Sequence, residues 1–215
     1  ITGVLPLFHI KSMFAGNALI STPFGVYGGI LSLDDESRKL LFDAGLERAQ
    51  NCGAKYIELR ELHSNEQSDV EVRDDLYVTF IRELDESEDD NFNRMPREAR
   101  RLIRKAGREG MTARLSRDPA DVEAFHHIYA SSVRNLGTPV FPARLFRECM
   151  EQFGDSCDLL MIEFGGQPVA GVISFYYRDT ILPYYGGSLP EQKKPSPNNF
   201  MYWELIKSAA ERGFR

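Results

Sequence analysis

Pro183-Tyr184-Tyr185-Gly186-Gly187 restates a stretch met earlier in the same chain, where Pro23-Phe24 is followed by Tyr27-Gly28-Gly29. The surroundings match as well. An apolar run precedes each copy (Val4 to Ile10, then Val169 to Tyr177), and a polar loop follows. A helix-patterned segment comes next in both places, Ser37 to Asn51 and Phe200 to Arg212, and stops at a glycine, Gly53 or Gly213. Strand, aromatic-Gly-Gly, loop, helix and glycine stop in one order predict a duplicated supersecondary unit. The expected class is therefore α+β: two similar modules, each a mixed sheet flanked by helices, with a cleft between or beside them.

At 215 residues the chain has room for two domains of ordinary size or one large one. Its apolar fraction of 42% supports real cores, and no apolar run is long enough to cross a bilayer. A net charge of −6 excludes a generally basic DNA binder. The charge is unevenly spread, however, because Glu83 to Asp90 is acidic while Arg94 to Arg108 is strongly basic. Three cysteines (Cys52, Cys149, Cys157) without a Cys-x-x-Cys pair read as inert thiols in a reducing, cytoplasmic setting and not as metal ligands.

Along the chain, Ile1 to Ile10 and Ala18 to Ser21 read as strands joined by a turn at Ala15-Gly16-Asn17, and Tyr56 to Leu59 and Tyr77 to Ile81 as two more. Pro96 opens a helix whose apolar side is Met95, Ala99, Leu102, Ile103 and Ala106. Asp118-Pro119 opens another, with Val122, Phe125, Tyr129 and Val133 facing inward, and Pro142 to Phe153 is a third. Leu159 to Phe164 and Val169 to Tyr177 form a hairpin through Gly165-Gly166, and Ile181 to Tyr185 is the next strand, ending at the Tyr-Gly-Gly segment.

Gly-x-Gly-x-x-Gly, Walker, His-Glu-x-x-His and Gly-x-Ser-x-Gly signatures are all lacking. The polar inventory concentrates in the second copy, whose loop carries Lys193, Lys194, Ser196, Asn198 and Asn199 ahead of Phe200-Met201-Tyr202-Trp203-Glu204. A helix N-terminus preceded by such residues suits an anion or a carbonyl oxygen, because its free N–H groups carry partial positive charge. The same residues equally describe a capped, aromatic-packed helix. On the basic helix, Arg97, Arg101 and Arg104, with neighbouring Lys105, are placed to hold phosphate, since guanidinium groups grip it with paired hydrogen bonds; a solvated helix face is the plainer reading. Arg134 to Phe141 joins two helices; it reads either as a simple turn or, with Arg134, Asn135 and Thr138 beside a cleft, as a loop suited to orient a substrate. His126 and His127 read as a structural or surface pair.

Leu136-Gly137-Thr138-Pro139-Val140-Phe141, Leu182 to Gly187 and Asn199 to Glu204, together with Val4-Leu5-Pro6-Leu7 and Pro96-Arg97, resemble FemAB-related proteins. These peptidoglycan bridge-forming transferases sit in the wider GNAT acyltransferase superfamily, and the likeness is greatest to the branch associated with PEP-CTERM/exosortase exopolysaccharide loci. The resemblance implies tandem GNAT-like modules: a partial N-terminal one over 1–92, a basic connecting helix over 93–110 and a C-terminal one over 111–215. The unequal spacing before the two Tyr-Gly-Gly copies predicts that about fifty residues of the first module lie outside this sequence, and the resemblance implies the same of a final strand bearing an Asp-Phe-Gly-type segment. The implied activity is acyl or aminoacyl transfer to an amine of a cell-envelope or exopolysaccharide precursor, a glycan, peptide or other small molecule. Aminoacyl-tRNA or acyl-CoA would be the donor, with no firm cofactor. Tyr202, Glu204 and Asn199 become the catalytic candidates, and Tyr184, Tyr185, Gly186, Gly187, Arg134, Thr138 and Trp203 the substrate-binding ones. Arg97, Arg101, Arg104 and Lys105 would take a tRNA or nucleotide-sugar phosphate. The loop from Glu191 to Asn199 lacks the glycines with which coenzyme A binders wrap a pyrophosphate, which disfavours acyl-CoA. Two further readings stand beside this one: acetyl-CoA-dependent N-acetyltransfer, and a non-catalytic module binding glycan or protein.

Overall fold

The computed structural model describes residues 1–13, 16–62, 70–73, 78–189 and 195–214, which divide into two compact units, Ile1–Phe80 and Ile81–Arg215.

In the first unit, β1 (Gly3–Val4) pairs antiparallel with β4 (Leu31–Ser32). A three-stranded sheet has the order β2 (Phe8–Ser12), β3 (Gly16–Ile20), β5 (Tyr56–Glu58), antiparallel in the first pair and parallel in the second. The parallel pair is connected through α1 (Asp35–Asn51), as a parallel connection requires. Asp34 caps α1 by accepting a 2.7 Å hydrogen bond from the Ser37 N–H, and that bond lowers the Asp34 carboxyl below its usual range. The expected strand Ile1 to Ile10 is broken in two, with Pro6 in the gap. Proline has no N–H to give to a ladder. Of the expected strand Tyr77 to Ile81, Tyr77 lies outside the described residues, and Val78, Phe80 and Ile81 are exposed and join no sheet. Ala15, in the expected first turn, also lies outside them.

The second unit is a three-layer sandwich. Its antiparallel sheet runs β6 (Thr112–Ser116), β7 (Cys157–Phe164), β8 (Gln167–Tyr177), β9 (Thr180–Ser188). On one face Ile103, Ala106, Leu160, Ile162, Val172 and Trp203 form a core beneath α3 (Arg97–Arg108) and α6 (Pro197–Glu211). On the other, Phe125, Phe146, Leu159, Met161, Ile173 and Tyr185 form a core beneath α4 (Pro119–Asn135) and α5 (Ala143–Phe153). Successive strand residues feed opposite cores, which is why β7 reads as an unbroken apolar run. Sequence reading did not foresee α2 (Glu88–Asn93), capped by Ser87 inside the acidic run, or the polar edge strand β6.

A hairpin leading through a loop into a helix occurs twice, as β2–β3–α1 and β8–β9–α6. Both helices end in the same way. Gly53 and Gly213 have φ of 63° and 82°, and their N–H groups donate to Gln50 and Ala210. The following Ala54 and Phe214 donate to Ala49 and Ala209, the paired bonds of a Schellman stop. The Tyr-Gly-Gly segments differ, though. Tyr185-Gly186-Gly187 lies inside β9, whereas Gly28 and Gly29 lie in a loop and donate to the Arg60 carbonyl.

Candidate functional site

Between Ile173 and Ser174 of β8, the pairing with β9 jumps: Ile173 faces Tyr185, and Ser174 faces Pro183. Tyr184 is the extra residue, and the strand bulges there. Bulges bend a strand, break its ladder and are enriched beside active sites. Tyr184 is half-buried and its ring packs edge-on to Tyr185 at 4.8 Å between centroids. Tyr185 itself is a core residue. Its ring meets Tyr129, Phe141 and Phe146 at 6.2, 5.8 and 5.1 Å, and burial, ahead of neighbouring groups, raises its phenol far above the usual range. A Tyr185 phenolate is thereby disfavoured.

The two glycines after it do different things. A side chain at Gly186 would meet Val172 at 3.6 Å, an ordinary contact. One at Gly187 would lie 3.0 Å from Ser132 Cβ and 3.2 Å from the Tyr129 Cα, so Gly187 is what lets α4 rest on β9. The second half of α4 is thus packed onto β9 at Gly187.

The end of α4 carries Arg134, and the loop after it carries Thr138. Both line one shallow recess with Ala130, Ser131, Pro139 and Val140. The loop is firmly held. Leu136 and Thr138 donate their N–H groups to the Val133 carbonyl at 3.0 and 3.1 Å, and His126 Nε2 lies 2.9 Å from the Phe141 carbonyl. His126 therefore serves the loop as a structural tether. Phe141 in turn packs on Tyr185.

The α6 candidates separate by face. Asn199 and Tyr202 are three residues apart and share a side of the helix; Glu204 lies about 200° round from Tyr202. Tyr202 is 46% exposed. Glu204 is half-buried and paired with Lys207 at 2.7 Å. Trp203 is buried in the core, edge-on to Phe92 at 4.8 Å, and does not face solvent. Asn199 Nδ2 donates to Ser196 Oγ at 2.9 Å, so the hydroxyl at the start of α6 binds a side chain and caps no backbone N–H. Lys193 and Lys194, with Glu191 and Gln192 before them, lie outside the described residues.

On α3, Arg101 grips Glu98 with two bonds of 2.9 and 2.5 Å, and Lys105 lies 3.6 Å from Glu109. Arg104 stacks over Phe92 at 4.9 Å. No ion pair joins Arg97 or Arg104 to an acidic side chain among the described residues. Arg97, Arg101 and Arg104 are exposed and Lys105 is half-buried, and none of the four is brought to Tyr184 or Arg134 by a contact among the described residues of this unit. Sequence reasoning also missed a buried constellation under α6. Asp158, 5% exposed, accepts from Tyr176 Oη at 2.6 Å and from Arg212 at 3.0 Å, and Arg212 lies 4.0 Å over the Tyr176 ring. Burial, then the bond to Asp158, raises the Tyr176 phenol well above its usual range. Its only sequence signal was an Asp inside an apolar strand. Among the described residues no group of His, Cys, Asp and Glu is arranged to hold a metal, and no helix is long and apolar enough to cross a membrane.

Residues 93–215 match the family profile described as an acetyltransferase (GNAT) domain. Among solved structures, the crystal structure of FemX is similar at 13% identity with a TM-score of 0.62, over 97% of this chain and 78% of that one. The C-terminal domain of a protein described as a lysylphosphatidylglycerol synthetase from Agrobacterium fabrum is similar at 11% identity and a TM-score of 0.58, over 99% of this chain and 65% of that one. No curated protein sequence matches significantly. At such identities the structural likeness speaks for the fold, a mixed α+β arrangement of GNAT type.

Proposed function

We propose, from the premise that this chain belongs to the acetyltransferase (GNAT) domain family, that it transfers an acyl or aminoacyl group to an amine of a cell-envelope or exopolysaccharide precursor. Acyl transfer is the family's chemistry; the aminoacyl donor, the acceptor class and a cytoplasmic location are our reading. The observation that carries it is the β9 bulge at Tyr184, with Phe141 of the hydrogen-bonded loop after α4 packed on the neighbouring Tyr185, in a fold shared with FemX.

In the reaction a neutral amine attacks the acyl carbonyl, the new C–N bond forms, and the bond to the donor's oxygen or sulfur breaks. The leaving group takes the proton that the amine loses. Holding amine and carbonyl together removes much of the entropic barrier, and donors toward the developing oxyanion supply the rest. We assign the carbonyl to the bulged stretch Tyr184 to Gly187, with Tyr184 and Asn199 as orienting groups. Tyr202 is the preferred proton-handling residue, because it is exposed and shares a side of α6 with Asn199, whereas Glu204 is engaged by Lys207. Arg97, Arg101, Arg104 and Lys105 are assigned to the phosphates of a tRNA or a nucleotide-linked precursor.

The test is amide formation from a panel of aminoacyl-tRNA and acyl-CoA donors with amine-bearing precursors, comparing the parent with Tyr202→Phe and Glu204→Gln. Loss of about 10²-fold or more in kcat for Tyr202→Phe, with Glu204→Gln near parental, is expected for a proton-handling role. Equal rates in parent and Tyr202→Phe would remove that role. The family description itself favours a second reading, acetyl-CoA-dependent N-acetyltransfer. A rise in melting temperature with acetyl-CoA, absent with aminoacyl donors, would select it.

A further inference from the structure

The recess at the end of α4 unites one guanidinium, two hydroxyls and an apolar wall. Arg134 is exposed, and no acidic side chain among the described residues is ion-paired with it. Ser131 and Thr138 contribute the hydroxyls; Ala130, Pro139 and Val140 form the wall. The frame is hydrogen-bonded in place: Thr138 and Leu136 donate back to Val133, and His126 Nε2 lies 2.9 Å from the Phe141 carbonyl. Charged side chains on a fixed frame hold a ligand with less ordering cost than mobile ones.

A planar guanidinium binds a planar oxyanion through two parallel N–H···O bonds. Its charge count narrows the choice. The recess has one cation and sits at a helix C-terminus, where the carbonyl dipoles oppose accumulated negative charge. A phosphate dianion is poorly matched there, and a monoanionic carboxylate with a small apolar neighbour is well matched. We propose that this recess is a carboxylate subsite, taking an amino acid or the C-terminal residue of a short peptide. Arg134 would grip the carboxylate, Ser131 and Thr138 would donate to it, and Val140 and Pro139 would cover the side chain.

Resting on the acyl-transfer reading, the subsite anchors the acceptor. The same part of α4 touches β9 at Gly187, through Ser132, and the loop touches Tyr185 through Phe141. An acceptor fixed by its carboxylate is thereby oriented relative to the bulged strand.

The test measures binding by NMR titration of the whole chain, with no acyl donor present. The probes are N-acetyl-alanine, its carboxamide and inorganic phosphate. Saturable binding of N-acetyl-alanine is expected, at least tenfold weaker for the carboxamide and for Arg134→Ala, and several-fold weaker for Thr138→Val. Equal affinity for acid and amide, an unchanged Arg134→Ala, tighter binding of phosphate, or no saturation would each overturn the subsite. The carboxamide comparison uses the parent protein, so it holds even if a variant misfolds. Failure here is distinct from failure of the catalytic reading. A chain that binds the acid yet never transfers an acyl group would sink only the latter; one that acylates amines without regard to a carboxylate would sink only the former.

Discussion

Gly187 shows how much one missing methyl can decide. Replacing it with alanine sets a carbon 3.0 Å from Ser132 Cβ and 3.2 Å from backbone at Tyr129, and helix backbone cannot yield as a side-chain tip can. Overpacking of this kind costs about 1–3 kcal/mol, so Gly187→Ala should lower the urea midpoint, and its strained α4 should also weaken N-acetyl-alanine binding. Gly186→Ala meets only an ordinary contact and should leave the midpoint close to parental. Equal midpoints for the two variants would refute this account of α4 packing. A second residue-scale expectation concerns acid. Hydrogen bonding to Arg114, then to Ser116, lowers the Asp121 carboxyl from 3.8 to about 2. A depressed carboxylate stabilises the fold above its unfolded pKa and ceases to do so as pH falls through the folded one. Unfolding free energy should thus decline between pH 4 and pH 2, and Asp121→Asn should flatten that part of the curve. An identical acid limb in both proteins would show that the Arg114 network contributes nothing.

The helices were the most legible elements, for a physical reason: a face in contact with a core must repeat near 3.6 residues, and Val122, Phe125, Tyr129 and Val133 do so and are all buried. Glycine stops at Gly53 and Gly213 were legible too, since few residues but glycine adopt their backbone angles. β6 escaped notice because it is an edge strand with Arg114 and Leu115 exposed, leaving no clean alternation. α2 escaped because its acidic residues read as a charge run and not as a capped first turn. In the site, the Arg134–Thr138 pairing could be anticipated from one short loop. The burial of Tyr185 and Trp203 could not, because an aromatic suits a pocket and a core alike, and only neighbours on other elements decide between them. α3 provides the element-scale prediction. Arg97, Arg101 and Arg104 are exposed; Arg101 and Lys105 are engaged by acids and Arg104 by Phe92, yet surface pairs contribute little and are open to exchange for phosphate. Arg101→Ala with Arg104→Ala should weaken tRNA binding and reduce the salt slope by about 1.4–1.8, at 0.7–0.9 per phosphate contact. An unaltered slope would dismiss α3 as a phosphate surface.

At the scale of the molecule, the two units differ sharply in how much core each encloses. In the first, Ala18, Leu19 and Ala49 are the buried apolar residues among those described, whereas the second buries both faces of its sheet. Hydrophobic stabilisation scales with apolar area removed from water, at about 25 cal/mol per Å², so the second unit has far the larger share of that driving force. The chain's one tryptophan reports on it alone, because Trp203 sits in that core against Phe92. Helix content, by contrast, includes α1 of the first unit. Under rising urea, ellipticity at the helix band should therefore begin to fall before Trp203 emission shifts to the red, giving two midpoints instead of one. The 17 residues of α1 set the expected size of the early step, a minority of the total helix signal. Coincident transitions by both probes would mean that the smaller unit draws its stability from more than its own core. That outcome would also change the reading of Gly187→Ala: its effect should appear only in the tryptophan transition if the units melt in turn, and in both signals if they melt as one.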